Sequence, residues 1–525
     1  MSTDKSTDKD SHRSIIKSTS IVSFGTLLSR ILGFFRDVIL AKFFGTAAQA
    51  DSFFVAFRIP NLLRDLMGEG ATNSAVVQVL SEYLHKDKKD LADLMNILFT
   101  FFLVVLSGVT VLGILLAPLV VRVVAPGFTS DVQKFDLTVQ LTRILFPYLI
   151  LIGLTAYSMG ILYTLRSFFW PAFSPCFLNI ACIVAALAAS ATMKEPILGL
   201  AIGVLIGGIL QLIVQIVALQ RKGVYLGIAK KFNHPGVKQI KRLLLPRLFG
   251  SGVYQINVVI DTLCASLSSV VGPGGISAIY YANRIIQFPQ GLFGVALASA
   301  LLPAISGLAA RKEVESLKKT IQFALRIIFL ILFPVAFFCI FLSTPIVRML
   351  FERGEFDTYS TAITSTALLF FAPGLLSYGG VRIMVTAFYA LQDTVTPVKV
   401  AGTCLLVNAV LNFVLMGPLK IGGIALASSV ATTLNFLTLF FVLDKKLGGL
   451  KKGLKKYLMK LSFAGMIMGV FVYFSWQLIP ISNEWVKLML VGALGLSVFI
   501  LICFILKVEE IKKVSDEIKK RYSRH

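Results

Sequence analysis

Fourteen apolar runs, each long enough to cross a lipid bilayer, fill almost the whole chain. They lie at 17–45, 48–80, 92–121, 138–165, 170–192, 196–219, 243–271, 275–308, 320–347, 360–390, 396–417, 421–443, 457–479 and 484–506. A hydrocarbon core is about 30 Å thick, and roughly 20 helical residues span it. Inside lipid, every backbone N–H and C=O must be satisfied within the fold, which leaves helices or closed barrels. Runs of this length predict an all-α polytopic membrane protein with 14 transmembrane helices. Composition agrees: 56% of the residues are hydrophobic and only 15% are charged. A soluble domain carries about a quarter charged residues. The first residues are polar and basic, and the first apolar run is too long for a signal-peptide core, so the spans themselves are expected to direct insertion.

The net charge of +24 would point to nucleic acid in a soluble protein. Its placement here points elsewhere. With the N-terminus in the cytoplasm, 34 cations fall on the cytoplasmic side and 8 on the opposite side. Positively charged loops stay inside, so both termini are expected in the cytoplasm, with basic loops facing an anionic inner leaflet. No nucleic-acid partner is needed. The chain then divides into a cytoplasmic tail (1–16), a first lobe (17–220), a basic linker (221–242), a second lobe (243–443), a basic loop (444–456), an appended helix pair (457–506) and a basic tail (507–525).

The two lobes are related by an internal repeat. "AFRI" at 56–59 returns as "ANRI" at 282–285, an offset of 226. The same offset maps Arg122 onto Arg348, Pro147 onto Pro373, Pro171 onto Pro397 and Lys194 onto Lys420. Six helices is an even number, so two six-helix halves share one orientation and form a parallel repeat. The last two helices have no counterpart. Parallel repeats of this kind are the architecture of alternating-access carriers.

Nine cations remain at membrane depth, and all are arginine: Arg30, Arg36, Arg58, Arg64, Arg143, Arg247, Arg284, Arg326 and Arg382. Five acids accompany them: Asp37, Asp51, Asp65, Glu69 and Asp261. An ionisable residue inside the membrane faces protein or a watery cavity. The planar, permanently charged guanidinium matches phosphate oxygens. Arg30, Arg64 and Arg284 outnumber the acids left to pair with them, which points to an anionic substrate. The bland readings differ by site. Arg36 and Asp37 can form a structural pair, and Arg58 can pair with Asp51 or Asp65. Arg143, Arg247 and Arg326 lie near helix ends, where snorkelling to the interface explains them.

Two further groups have weaker signals. Asp261, Asn408, Asn412 and Ser428 offer oxygen ligands suited to a monovalent cation, although polar contacts between helices explain them as well. The six cysteines all lie in apolar runs without metal-ligand spacing, and the four histidines fall in polar segments. No metal site is expected.

Three stretches, "SRILGFFRD", "DSFFVAFRIPNLLRDLMGEGA" and "YYANRIIQFPQGLFGVALASALLP", closely resemble the MurJ/MviN family, the bacterial lipid II flippases of the MOP exporter superfamily. The resemblance runs along the whole chain. It implies a carrier that flips undecaprenyl-pyrophosphate-linked peptidoglycan precursor from the inner to the outer leaflet of the bacterial cytoplasmic membrane. It implies substrate-binding roles for Arg30, Arg36, Arg64 and Arg284, with Asp37, Asp51 and Glu69 lining or bracing the cavity; Arg58, on the same stripe of the second helix as Asp51, is placed with the lining or bracing residues on its position in the sequence. It implies a groove for the lipid tail at 457–506, and it likens Asp261, Asn408, Asn412 and Ser428 to the sodium site of some members. Asn412 stands where that site has a carboxylate, which weakens sodium as the coupling ion. The expected partners are lipid II, membrane lipids and other cell-wall synthesis proteins, and a monomer is expected. A flippase for another lipid-linked oligosaccharide and a cation-coupled multidrug exporter are the alternatives. An enzyme is not expected, because the longest loop, 220–242, has no Asp or Glu.

Overall fold

The computed structural model describes residues 4–67, 71–84, 88–229, 234–451 and 453–511, with side chains at all of these except 4–19, 65–67, 71–75, 88–89, 241, 244–251 and 253–254. Every regular element among the described residues is helical. Two compact units divide the chain at Leu267 and Ser268.

The first unit contains α1 (Asp4–Phe44), α2 (Ala48–Met67), α3 (Ala71–Leu84), α4 (Lys88–Leu115), α5 (Ala117–Val124), a 3₁₀ turn (Pro126–Ser130), α6 (Val132–Leu145), α7 (Tyr148–Thr164), α8 (Phe169–Thr192), α9 (Pro196–Gln220) and α10 (Pro235–Ser266). The second contains α11 (Ser268–Val271), α12 (Gly275–Pro289), a π turn (Gln290–Gly294), α13 (Val295–Ala310), α14 (Val314–Phe341), α15 (Ser343–Phe351), α16 (Thr358–Phe371), α17 (Gly374–Ala390), α18 (Val395–Leu419), α19 (Ile421–Leu447), α20 (Leu454–Leu478) and α21 (Glu484–Ile505).

Among the described residues, ten helical stretches are long and apolar enough to cross a membrane, or eleven if the pair α16 and α17, bent by 47°, is one span. The helices α1, α2 and α10 carry Arg30, Arg36, Asp37, Asp51, Arg58, Arg64 and Asp261.

The offset of 226 reappears in the helix bounds. Added to the bounds of α4, α6 and α7, it gives those of α14, α16 and α17 residue for residue. The turns match as well. Asp131 and Asp357 stand at equivalent positions, and each carboxylate accepts a backbone N–H of the helix it caps, from Lys134 at 3.0 Å and Ser360 at 2.8 Å. Arg166 and Gln392, also equivalent, both take the left-handed conformation, at φ 54° and 59°. Pro147 and Pro373 break the chain between α6 and α7 and between α16 and α17, because proline lacks the N–H that would continue the helix.

In the second unit, α20 packs on α14 and α21 packs on α20. Gly469 lets α20 approach closely: a Cβ there would stand 2.4 Å from the Phe341 ring. Arg326, on α14, is paired rather than solitary. The chain beyond α21 folds back, and Arg326 pairs with Glu509 at 3.3 Å and Glu510 at 3.2 Å, with Glu510 buried. The Tyr457 hydroxyl of α20 donates to the Arg326 carbonyl at 2.8 Å. At the other end of the pair, Arg348 lies 3.7 Å from Glu484. The appended helices are thus fastened to α14 and α15 at both ends. Gly469→Leu is expected to destabilise the protein by about 1–3 kcal/mol through overpacking, read as a lower melting temperature in detergent.

Asp393 starts α18 in a loop. Its carboxylate accepts from Lys446 and from the Thr396 backbone at 3.0 Å, and these contacts hold its pKa well below the usual carboxylate range. A depressed folded-state pKa stabilises the fold above the unfolded value, about 3.9, and that contribution is lost as pH falls toward the folded value. Asp393→Asn is therefore expected to lower the melting temperature at pH 7, with a gap to the parent that narrows from pH 5 downward.

Candidate functional site

The membrane-depth charges of the first unit are built into helix contacts. Arg36 and Asp37 are neighbours on α1, and both are buried. The Arg36 side chain turns back so that Nε and Nη2 donate to Asp37 Oδ1 at 3.0 and 2.8 Å. Its Nη1 donates to Asn179 Oδ1 on α8 at 3.1 Å, and Asn179 Nδ2 donates to the Ser29 carbonyl at 3.0 Å. The group joins α1 to α8. Burying an arginine without a partner is expensive, and this one has a carboxylate and an amide. Arg30, one turn and a half earlier, is half-buried.

Arg64 is half-buried on α2. Tyr148, at the start of α7, is fully buried. Arg58 Nη1 donates to the Thr262 hydroxyl on α10. Asp51 Oδ2 accepts from Lys134 Nζ at 2.8 Å, and their side chains are 2% and 8% exposed. Lys134, counted from the sequence among the outer-side cations, is in fact interior. Its ammonium also sits 4.1 Å from the centre of the Phe128 ring. This pair joins α2 to α6. At the equivalent positions of the second unit stand Ser277 and Ser360, both buried.

In the second unit, Arg284 lies on α12, just before the π turn. Its Nη2 donates to the Tyr280 hydroxyl at 3.0 Å, and its guanidinium carbon stands 5.0 Å from the centre of that ring. Tyr280 is four residues back on the same helix face, so it holds the fork from one side. The sequence reading passed over Tyr280; the signal was an aromatic residue one turn before a membrane arginine.

Asp261, half-buried on α10, accepts from Asn257 Nδ2 at 3.4 Å. Asn408 and Asn412 are fully buried on α18, and Ser428 is buried on α19. Asp261 belongs to the first unit and the other three to the second. Glu69 lies outside the described residues, as do the side chains of Asp65 and Arg247. Arg143 and Arg382 are exposed. All six cysteines are buried and free, and among the described residues no three His, Cys, Asp or Glu side chains gather as metal ligands.

A family model described as lipid II flippase MurJ matches residues 40–494. The chain belongs to the MurJ family. A lipid II flippase MurJ of Burkholderia cenocepacia is 38% identical over 433 residues, covering 81% of this chain and 83% of the relative. A probable lipid II flippase MurJ of Haemophilus influenzae is 35% identical over 482 residues, covering 88% and 92%. A solved MurJ in an inward closed conformation superposes with a TM-score of 0.80 at 30% identity, covering 93% of this chain and 99% of that one. A multidrug resistance MATE transporter of the MOP superfamily, in an inward-facing conformation, gives a TM-score of 0.65 at 17% identity. That likeness is one of fold alone. The family match takes in residues of both units, including α2 and α12, which carry Arg58, Arg64 and Arg284.

Proposed function

We propose that this chain moves lipid II from the inner to the outer leaflet of the bacterial cytoplasmic membrane. The observation that carries the reading is the family match over residues 40–494, which spans the helices bearing Arg64 and Arg284. A diphosphate is the part of such a lipid least soluble in hydrocarbon, and guanidinium forks match its oxygens. In this reading Arg30, Arg36, Arg64 and Arg284 bind the diphosphate during the cycle. Asp37 and Asn179 set the orientation of Arg36, Tyr280 sets that of Arg284, and Asp51 with Lys134 fixes α2 against α6. Glu69 and Arg58 complete the polar lining.

The finer architecture belongs to the same proposal: fourteen spans, two six-helix lobes with an appended pair, both termini cytoplasmic, and a monomer working by alternating access. The appended pair α20 and α21 offers its outer apolar face, with Phe463 and Phe474 exposed, to the polyprenyl tail. Asp261, Asn408, Asn412 and Ser428 form the candidate sodium site. No catalytic chemistry is assigned. Outward movement of net negative charge follows an inside-negative potential, by about 2.3 kcal/mol per charge per 100 mV. The expected result of depleting the protein in cells is lipid II accumulating in the inner leaflet, measured by its access to an externally added reagent. Unchanged outer-leaflet lipid II would refute the reading.

A further inference from the structure

Residues 224–229, between α9 and α10, form no regular element yet are held in place. Val224, Leu226 and Ala229 pack against the core of the first unit. Tyr225 and Ile228 point the other way and are 73% and 76% exposed. Two backbone donors are satisfied by side chains of α4: Gly227 N–H donates to Asn96 Oδ1 and Ala229 N–H to Thr100 Oγ1, both at 2.8 Å. Side chains reserved for backbone donors in an irregular segment are what a region poor in water demands.

The depth of the segment follows from α4. Its apolar span, Asp90–Leu115, has 26 residues, or ~39 Å of helix. Asn96 and Thr100 stand ~9 and ~15 Å along it from Asp90. With that span centred on a hydrocarbon core of about 30 Å, the segment lies some 5–10 Å beneath the core boundary, the depth reached by interfacial amphipathic segments. Beside it, Arg221 and Lys222 are exposed, and 220–242 contains no acid to offset them.

We propose that residues 224–229 are a membrane anchor, with Tyr225 and Ile228 inserted among the lipids of the anionic inner-leaflet surface and Arg221 and Lys222 at its headgroups. Tyrosine is suited to this boundary, with an apolar body and a polar tip. The inference goes beyond the transport reading and does not depend on the substrate. It makes the connection between α9 and α10 a fixture of the bilayer rather than a free tether.

The test is nitroxide labelling of the full-length protein in vesicles of phosphatidylethanolamine and phosphatidylglycerol. The six native cysteines are buried, so a thiol-reactive label goes to an introduced site. Tyr225→Cys and Ile228→Cys place labels at positions whose side chains touch little protein, and Lys222→Cys serves as the control. At 225 and 228, collisions with lipid-soluble oxygen are expected to exceed those with a water-soluble nickel chelate several-fold, and at 222 the order is expected to reverse. Nickel-dominated collisions at 225 and 228 would overturn the anchor. So would labels shielded from both reagents, which would mean that protein covers this face.

Discussion

Arg284→Ala is expected to abolish support of cell-wall growth while leaving the protein inserted, folded and close to its parent melting temperature. The reason lies in the geometry at α12. The Arg284 fork lies against Tyr280, which contributes a hydroxyl at 3.0 Å and a ring face at 5.0 Å. A cation against an aromatic ring contributes about 0.5–2 kcal/mol. Loss of that contact destabilises modestly. The charge itself is a different matter: a charge-assisted fork on a diphosphate has no replacement in alanine. Arg284→Lys is expected to retain part of the function, because it keeps the charge and loses the two-pronged geometry. The measurement is complementation of a depleted strain, with membrane insertion and thermal unfolding of each variant as controls. Full complementation by Arg284→Ala would remove this residue from the diphosphate site.

Asp51→Ala is expected to produce the largest loss of stability. It leaves the Lys134 ammonium 8% exposed among helices with its carboxylate gone. Removing one partner of a buried ion pair destabilises by about 3–5 kcal/mol, because the other charge stays desolvated. The Phe128 ring, 4.1 Å away, offsets only a fraction of that. The double variant Asp51→Ala with Lys134→Met is expected to recover most of the loss, since a buried pair replaced by apolar groups is often close to neutral. The equivalent positions of the second unit, Ser277 and Ser360, show that the helix contact itself does not require ions. Melting temperatures of the two single variants and the double complete the cycle. If Asp51→Ala and the double variant melted together, the cost would lie in lost packing and not in a stranded charge. If the double variant recovered stability but not transport, Asp51 would have a role in the cycle beyond bracing.

Much of the fold was legible in the sequence, for a physical reason. The bilayer forces each span to be apolar and helical, so length and hydropathy report structure directly. The prolines that break α6 from α7 and α16 from α17 were visible, as was the repeat that the helix bounds reproduce at an offset of 226. The charged residues worth attention were visible as well, since each one at membrane depth is an exception to its surroundings. Partners were another matter. Arg58 with Thr262, Asp51 with Lys134, and Arg326 with Glu509 and Glu510 are separated by 204, 83 and 183 or more residues.

The sequence by itself determined the class of the chain, an all-helical membrane protein with arginines where lipid would exclude them, because transfer free energy is additive along a helix and needs no knowledge of neighbours. Only the tertiary structure decided which of those charges serve as braces. An ion pair is a property of two side chains brought within about 4 Å, and nothing local to Lys134 or Arg326 announces that a distant segment will fold back to meet it. The anchor at residues 224–229 belongs to the same category: Tyr225 and Ile228 read as ordinary loop residues until the direction of Val224, Leu226 and Ala229 toward the core fixes which way they face.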